Sequence, residues 1–237
     1  EAVADEVARR RAEAEADPRY QGVLFEELLR AQGLDVERLG RDPAVRVSAL
    51  AHRYVDEKYG EAGLREAYAT ERQLFEDRFG EALRVRMLFL LATAEPNPIV
   101  PRSYAEAEEL LRDLAARATS EALFAQLCKL HSEDPLSRQR GGDLGYVTRG
   151  DERVPAALRT LLFELAGSGD LAEPPSGPHR VENGALLVWI SERRPSPDWA
   201  GMEPHVHREL RRRFLRSTLA PEDLVTYLDR EDPEPGG

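Results

Sequence analysis

Within the first 80 residues, apolar positions recur at helical spacing after residue 23, whereas residues 2–16 favour a helix by composition but have few large apolar residues. Those of residues 24–29 predict a helix that Gly33 ends, and Asp42-Pro43 supplies an N-cap followed by proline at the first helical position of the next helix. That second helix is expected to run to about Tyr59, with Gly60 as its C-terminal cap. A further helix is predicted to end at Gly80. Its expected buried positions are Leu64, Tyr68, Phe75 and Phe79.

The pattern changes at residue 83. Residues 83–92, LRVRMLFLLA, first alternate and then become continuously apolar, which favours a strand in the middle of a sheet. Residues 185–190, ALLVWI, predict a second buried strand. Between them, Ser103 and Ser120 are expected to cap two helices, and Pro155 is expected to open a third. Residues 172–179, AEPPSGPH, are expected to form an extended segment stiffened by proline.

The last part of the chain returns to a helical pattern. Val206, Leu210 and Phe214 share one helix face, Pro221 is expected to start a final turn, and residues 229–237 are expected to be disordered. The patterns together predict three parts. They are a helical N-terminal domain at 1–82, a mixed domain at 83–194, and a C-terminal helix within 195–237 that packs on the N-terminal domain.

Composition narrows the class of protein. The 237 residues carry a formal net charge of -11, which disfavours a general nucleic-acid binder because phosphate contacts need a positive surface. The apolar run at 87–92 is far too short to span a bilayer. The chain begins with Glu1, which leaves room for a removed targeting segment. The compartment is left open, and an extracytoplasmic one is favoured, either periplasmic or membrane-anchored through a removed N-terminal segment. His205 and His207 lie two positions apart on a helix and point to different sides, so no metal site is expected.

One stretch, HSEDPLSRQRGGDLGYV at 131–147, combines charge, proline and two adjacent glycines. A phosphate-binding loop is disfavoured because the stretch lacks the Lys-Ser/Thr pair and leads into a short strand. A tight turn with positive φ at Gly141-Gly142 is preferred. A triad from neighbouring residues of 131–134 is rejected because they cannot form the relay geometry. Cys128, next to apolar neighbours, is expected to be a core residue.

A family resemblance follows from this stretch together with VPAALRTLLFELAGSGDLAEP (154–174) and GALLVWISERRP (184–195). Over 83–194 the order of elements resembles the parvulin-type peptidyl-prolyl cis-trans isomerases. The flanking helices resemble those of exported foldases and chaperones. The resemblance implies an α+β fold: a small antiparallel sheet with surrounding helices, plus an α-helical domain built from the N-terminal region and the C-terminal helix.

The resemblance also implies site residues. Asp134 stands where the family has its central Cys or Asp and would be catalytic. The proline pocket would be formed by Leu144, Val154 and Leu158, with Phe163 beneath. Val154 and Leu158 replace residues that are often bulkier in the family, which implies a wider or shallower pocket. Asp143 is expected to tie the loop by hydrogen bonds.

The chain departs from the family at one feature. Parvulins usually carry a histidine on each of two neighbouring strands, and the matching positions here are Phe89 and Leu186. Neither predicted strand contains a histidine. The Gly-x-His pattern of the family also matches literally at His179, but the polar residues after it favour Leu186 as the matching position. Asp134 would then lack its usual polar neighbours.

The resulting hypothesis is a parvulin-type peptidyl-prolyl isomerase or foldase of weak activity. It would need no cofactor and no metal, and its partners would be client polypeptides with proline-containing or extended segments. Nucleic acid and a membrane span are not expected, and a dimer is left open. The alternative is a catalytically degenerate chaperone or assembly factor that binds client polypeptide without isomerase activity.

Overall fold

Helices and one antiparallel sheet make up the computed structural model of the chain, which describes residues 1–16, 20, 22–167, 171 and 174–218. The predicted turn at Pro221 and the predicted disordered tail lie outside the described residues. The mixture of helices and antiparallel strands confirms the predicted α+β class. Within the described ranges, no helix combines the length and the apolar character needed to cross a bilayer.

The elements follow one another in a simple order. The helices are α1 Ala2–Ala16, α2 Phe25–Ala31, α3 Val36–Arg41, α4 Pro43–Thr70, α5 Arg72–Phe79, α6 Tyr104–Arg117, α7 Glu121–His131, α8 Ala156–Ala166 and α9 Trp199–Thr218. The strands are β1 Ala82–Leu91, β2 Asp143–Thr148, β3 Ser176–Val181 and β4 Gly184–Arg194. A short 3-10 helix, Arg138–Arg140, precedes β2.

The chain divides into two units, each described here by itself. The first contains Glu1–Thr70 and Glu203–Gly237, and the second contains Glu71–Met202. The boundaries predicted at 82/83 and 194/195 stay predictions.

Helix ends follow the predicted caps closely. Ser103 and Glu106 form a reciprocal capping box at the start of α6, and the Ser120 hydroxyl accepts a hydrogen bond from the Leu123 N–H at the start of α7. The Asp42 carboxylate accepts a hydrogen bond of 2.8 Å from the Ala44 N–H beside α4. The predicted break at Gly60 is present, with φ 55° and ψ -172°, but it interrupts the helix and does not end it, because α4 continues to Thr70.

The sheet has the strand order β2-β1-β4-β3, with every neighbouring pair antiparallel. The two predicted buried strands, β1 and β4, lie at its centre and pair along their length, from Ala82 opposite Arg194 to Leu91 opposite Gly184. β2 covers only the first half of β1, from Ala82 to Arg86. The second half of β1 therefore has an edge that another part of the chain must satisfy.

Both faces of the sheet are covered, which explains why β1 and β4 are apolar without strict alternation. One face packs against α8, and the other packs against α6 and α7. The α8 face carries Leu83, Val85 and Met87 from β1 and Leu186, Val188 and Ile190 from β4. The opposite face carries Leu88 and Leu90 from β1 and Ala185, Leu187 and Trp189 from β4.

Two segments differ from their predicted form. The stretch 172–179 was expected to be extended, and its described C-terminal part begins β3, which continues through the polar Arg180 to Val181. A hairpin turn at 182–183 then leads into β4. β3 tolerates polar residues because it is an edge strand, and pattern analysis favours only strands with a continuous apolar face. The single helix predicted to end at Gly80 is divided at Glu71 into the end of α4 and α5.

The predicted glycine turn before β2 is confirmed. Gly141 and Gly142 have φ of 66° and 76°, in the left-handed region. Gly142 also lies against β1, where an added Cβ would come 2.3 Å from the Met87 carbonyl oxygen. The Met87 N–H donates a hydrogen bond of 2.9 Å to the Gly142 carbonyl. Only a residue without a side chain allows this close approach.

The first unit contains a buried acidic residue. Glu6 of α1 is 3% exposed, and its carboxylate meets His52 Nδ1 at 2.9 Å and the Ser48 hydroxyl at 2.8 Å, both on α4. Burial opposes ionisation, but hydrogen bonds from Ser48, Arg10 and Arg9 outweigh it and hold the pKa of Glu6 below its usual value. The carboxylate therefore ties α1 to α4.

Residues of α9 extend this network within the same unit. The Arg211 guanidinium contacts the His52 ring, and His207 Nε2 lies 3.0 Å from the Asp56 carboxylate. The Phe214 ring stacks on Tyr54 with centroids 3.9 Å apart. These contacts join the C-terminal part of α9 to α4 by charge and by ring packing.

We predict that Gly142→Ala lowers the free energy of unfolding by more than about 3 kcal/mol, because strain at positive φ adds to a clash with β1. Gly145→Ala is the matched control. Gly145 has φ of 77°, but its added Cβ would meet only Arg84 Nη1, at 3.9 Å. The control should lose about 1–2 kcal/mol. Urea unfolding of both variants measures the difference, and equal losses would mean that the close approach contributes nothing.

We predict that Glu6→Ala lowers the free energy of unfolding by about 3 kcal/mol, because it leaves buried partners uncompensated. Glu37→Ala should lose less than about 1 kcal/mol, since Glu37 and its partner Arg41 are 75% and 71% exposed. The pKa of Glu6 is lower in the folded chain, so its contribution is complete above the unfolded value of about 4.3 and is lost as pH falls through the folded pKa. Denaturant titrations at pH 7 and pH 3 test both statements, and a Glu6→Ala loss that persists unchanged at pH 3 would contradict the second.

Candidate functional site

The loop between α7 and β2 supplies the missing edge of β1. The Phe89 N–H donates to the Ser132 hydroxyl at 3.2 Å, and the Glu133 N–H donates to the Phe89 carbonyl at 2.8 Å. Farther along, the Leu91 N–H donates to the Glu133 carboxylate at 2.6 Å. The second half of β1 is thus paired with this loop, and the loop is held at Phe89.

An ion pair also holds this loop in place. The Glu133 carboxylate forms an ion pair with Arg102 at 3.0 Å, and the same guanidinium donates to the Leu91 carbonyl. Arg102 precedes the Ser103 cap of α6, so the start of α6, the end of β1 and the loop meet at one carboxylate. Asp134, the residue that follows Glu133, therefore begins from a part of the loop that is held in place by these contacts.

Asp134 is the first loop residue beyond this anchor. Its Oδ2 accepts hydrogen bonds from the N–H of Ser137, at 2.8 Å, and from the Ser137 hydroxyl. Ser137 is fully buried and Asp134 is half-buried. Among the described residues, none donates a hydrogen bond to Oδ1. One carboxylate oxygen is thus held by the turn, and the other is available to a ligand.

Asp143 has the structural role that was expected of it. Its Oδ2 accepts a hydrogen bond from Arg84 at 2.8 Å, and its Oδ1 accepts one from the Gly145 N–H at 2.7 Å. Cys128 is also a core residue, as predicted. It is fully buried, its Sγ lies 3.4 Å from the Met87 carbonyl, and burial raises the pKa of its thiol to about 12, which keeps it protonated and unreactive.

The six predicted pocket residues all belong to the apolar cluster between the sheet and α8. Four are buried, and Leu144 and Phe89 are partly exposed at its margin. The predicted set is Leu144, Val154, Leu158, Phe163, Phe89 and Leu186.

Phe163 lies at the other end of this cluster from Phe89. The Arg149 guanidinium covers its ring at 4.1 Å and pairs with Glu81, just before the start of β1. Phe89 is near the end of the same strand, roughly 26 Å from Glu81 at the usual rise per residue. Phe163 therefore packs in the part of the apolar cluster near the start of β1. It does not line the same margin of the cluster as Phe89.

Phe89 and Leu186 are direct partners across β1 and β4. Leu186 also pairs with His179 of β3 on its other side. Three residues in one row thus face α8 from three neighbouring strands, in the order Phe89, Leu186, His179. His179 is half-buried, and its Nε2 lies 3.0 Å from the Ser176 hydroxyl.

Sequence reasoning missed the residues that hold Asp134. Ser132 and Ser137 are fully buried and bond the backbone of Phe89 and the carboxylate of Asp134. A signal was present, because a serine on each side of an aspartate at short spacing is typical of turns held by side-chain hydrogen bonds. Nothing local indicated the Arg102–Glu133 ion pair, since its members lie 31 positions apart.

Comparison with known families agrees with this geometry. Residues 74–179 match the model of the PPIC-type PPIase domain. This match confirms the resemblance inferred from the loop: the chain contains a parvulin-type peptidyl-prolyl isomerase domain. The matched region ends at His179, before β4, so the assignment of Leu186 to the second histidine position stays a prediction.

Curated relatives are similar to parts of this chain. A "Chaperone SurA" of Saccharophagus degradans is 41% identical over 90 residues, which are 38% of this chain and 19% of that protein. A "Putative peptidyl-prolyl cis-trans isomerase YacD" of Bacillus subtilis is 28% identical over 133 residues, 56% of this chain and 41% of that protein. The chain thus spans well under half the length of these relatives.

Solved structures include a peptidylprolyl isomerase, PrsA, from Bacillus anthracis. It is 17% identical to this chain, with a TM-score of 0.37, over 94% of this chain and 85% of that one.

Proposed function

We propose that this chain is a parvulin-type peptidyl-prolyl cis-trans isomerase that assists protein folding, with weak activity. The observation that supports it is the placement of Asp134. Its carboxylate is held by Ser137 on a loop bonded to Phe89, beside an apolar cluster with Leu144 at its margin. The substrates would be client polypeptides with proline-containing or extended segments. As in the exported foldases it resembles, we propose that the chain acts outside the cytoplasm.

The proposed reaction needs no bond to be made or broken. Amide resonance sets a barrier of roughly 18–20 kcal/mol between the cis and trans forms of a peptide bond, somewhat lowered before proline. An enzyme accelerates the exchange by binding the twisted amide more tightly than either planar form. The site therefore has to hold the proline ring and favour twisting at the preceding carbonyl.

Asp134 would favour twisting by its charge. In a planar amide, resonance moves electron density onto the carbonyl oxygen, and twisting returns that density to nitrogen. A carboxylate beside the carbonyl oxygen repels the planar form more than the twisted one, so the difference lowers the barrier. The Ser137 hydrogen bonds to Oδ2 keep the carboxylate in position, so it need not reorganise during the reaction.

Leu144, Val154 and Leu158 would receive the proline ring. Leu144 is half-buried at the margin of the cluster, whereas Val154 and Leu158 are 5% and 7% exposed. An apolar ring gains free energy on leaving water for such a surface, by about 0.8 kcal/mol for each buried methylene group. Binding of the ring fixes the proline side of the bond, and the carbonyl side then rotates near Asp134.

The missing histidines are the reason to expect weak activity. Phe89 and Leu186 occupy adjacent sites on β1 and β4, and neither of these strands contains a histidine. Apolar side chains at this point offer no hydrogen bond to a twisted amide. Activity would then depend on Asp134 and the proline pocket alone.

The decisive measurement is cis/trans exchange of short X-Pro peptides, followed by NMR exchange spectroscopy. We expect wild type to accelerate exchange and Leu144→Ala to reduce kcat/KM by about tenfold, because the substitution removes apolar contact. Asp134→Asn should reduce kcat/KM nearly as much as Asp134→Ala, because both substitutions remove the charge. Asn keeps the shape of the side chain, so this comparison separates charge from shape. Leu123→Ala, an exposed site on α7, is the control and should have wild-type activity.

Two results would count against the proposal. Wild type that gives no acceleration over buffer would remove isomerase activity. Full activity in Asp134→Asn would remove the charge from the mechanism and leave only positioning by shape. Thermal unfolding of each variant separates loss of activity from loss of fold.

The second candidate function is a chaperone or assembly factor that binds client polypeptide without isomerase activity. The side chain of Phe89 favours it, because it is apolar and partly exposed where catalysis would need a polar group, and its partner Leu186 is apolar and buried behind it. Leu136, two residues after Asp134 on the loop, is 76% exposed and offers a further apolar side chain to a client.

For this function we expect the full chain to suppress aggregation of an unfolded client at equal molar ratio. Leu136→Ser should weaken the suppression because it removes apolar area, while Asp134→Asn should leave it unchanged. Light scattering of a chemically denatured client after dilution measures both. No suppression by wild type would exclude general holdase activity.

A further inference from the structure

On the α8 face of the sheet, one polar residue lies in the same row as Phe89 and Leu186, the two apolar residues at the predicted histidine positions. His179 of β3 pairs with Leu186, which pairs with Phe89. Neighbouring strands are about 4.8 Å apart, so the His179 backbone lies roughly 10 Å from that of Phe89 across the sheet. A titratable ring thus reaches the apolar face from the edge strand.

A bulge in β3 determines the orientation of the His179 ring. Ser176 pairs with Val188 and His179 pairs with Leu186, so three steps on β3 match two on β4. The extra residue brings the Ser176 hydroxyl to within 3.0 Å of His179 Nε2. Gly177 permits the close approach, because an added Cβ would lie 2.8 Å from the Leu186 carbonyl oxygen. The ring is therefore oriented by its own strand.

The second ring nitrogen is the one that can meet a ligand. No residue that the structure describes forms a hydrogen bond with His179 Nδ1. Burial lowers the pKa of His179, so the ring is neutral at pH 7 and offers a hydrogen bond without a charge. A neutral imidazole suits the backbone of a polypeptide, which has both donors and acceptors.

We propose that His179, oriented by Ser176, binds the backbone of an extended client segment about four residues away from the proline. This inference rests on the proposed site at Asp134 and Leu144. The loop that holds Asp134 lies against β1 on the side away from β4, so the span from Asp134 to His179 is roughly three strand spacings, about 15 Å. An extended segment of about four residues covers this distance.

The proposal makes substrate length matter. A capped X-Pro dipeptide would fill the proline pocket but would not reach His179. The same dipeptide extended at both ends by several alanines would reach it and gain one hydrogen bond. Such a bond corresponds to about a fivefold gain in kcat/KM. A ring with a purely structural role would affect both substrates equally.

The test compares these two peptides by NMR exchange with the full chain. We expect wild type to prefer the longer peptide by about fivefold and His179→Ala to lose the preference, with unchanged kcat/KM for the dipeptide. His179→Gln should keep part of the preference because it retains a hydrogen-bonding side chain. Ser176→Ala should reduce the preference by freeing the ring. Arg180→Ala, at the next and exposed position, is the control.

The outcomes separate this inference from the proposed function. Wild type that accelerates both peptides equally, or His179→Ala that keeps the preference, overturns the role of His179 and leaves the isomerase intact. If wild type accelerates neither peptide, binding of the longer peptide is followed through the chemical shifts of the His179 ring. Shifts that change on binding support the contact without catalysis, and unchanged shifts overturn both.

Discussion

The backbone of Phe89 is the point on which the candidate site depends. Its N–H and carbonyl are both bonded to the loop, to the Ser132 hydroxyl and the Glu133 N–H, while its strand pairs it with Leu186. β2 is too short to reach this part of β1, so the loop replaces a strand as the partner of the edge. Because Ser132 and Glu133 are both bonded to a central strand, the loop backbone has little freedom at this point. Asp134 is the next residue in the chain. The precision of the site thus comes from sheet hydrogen bonding and not from the loop alone.

The close approach of Gly142 to Met87 completes this arrangement. This contact brings the chain back to β1 just before β2 begins. Both ends of the loop are therefore bonded to the same strand, β1. The buried Cys128 thiol packs at the same place and adds no reactivity there. The two glycines that suggested a phosphate loop are explained by this contact, because their φ values and lack of side chains serve the approach to a strand.

The elements that sequence patterns predicted well are those whose signal is local. The caps at Ser103 and Ser120, the apolar runs of β1 and β4 and the turn at Gly141-Gly142 each depend on residues within a few positions. The edge strand β3 was only seen as extended, since polar residues on an edge leave no apolar period. The pairings that position the site are distant in sequence, such as Arg102 with Glu133 and Phe89 with Ser132. No local pattern contains such information, and the family resemblance indicated the loop without these contacts.

On the predicted assignment, Phe89 and Leu186 stand at the two positions where parvulins usually have histidines, and this assignment changes what the rest of the proposed site must do. An apolar pair at the centre of the sheet strengthens the core, because both side chains join the cluster under α8. On the same prediction no histidine lies beside Asp134, and the Asp134 carboxylate is held by its hydrogen bonds with Ser137. Polar character reappears one strand farther out, at His179, where the edge of the sheet can hold a half-buried ring without disturbing the core. In the proposed site, apolar side chains lie at the centre and the hydrogen-bonding groups of Asp134 and His179 lie at two opposite margins. That arrangement suits an extended polypeptide better than a single compact group, because only a segment of several residues can touch both margins at once.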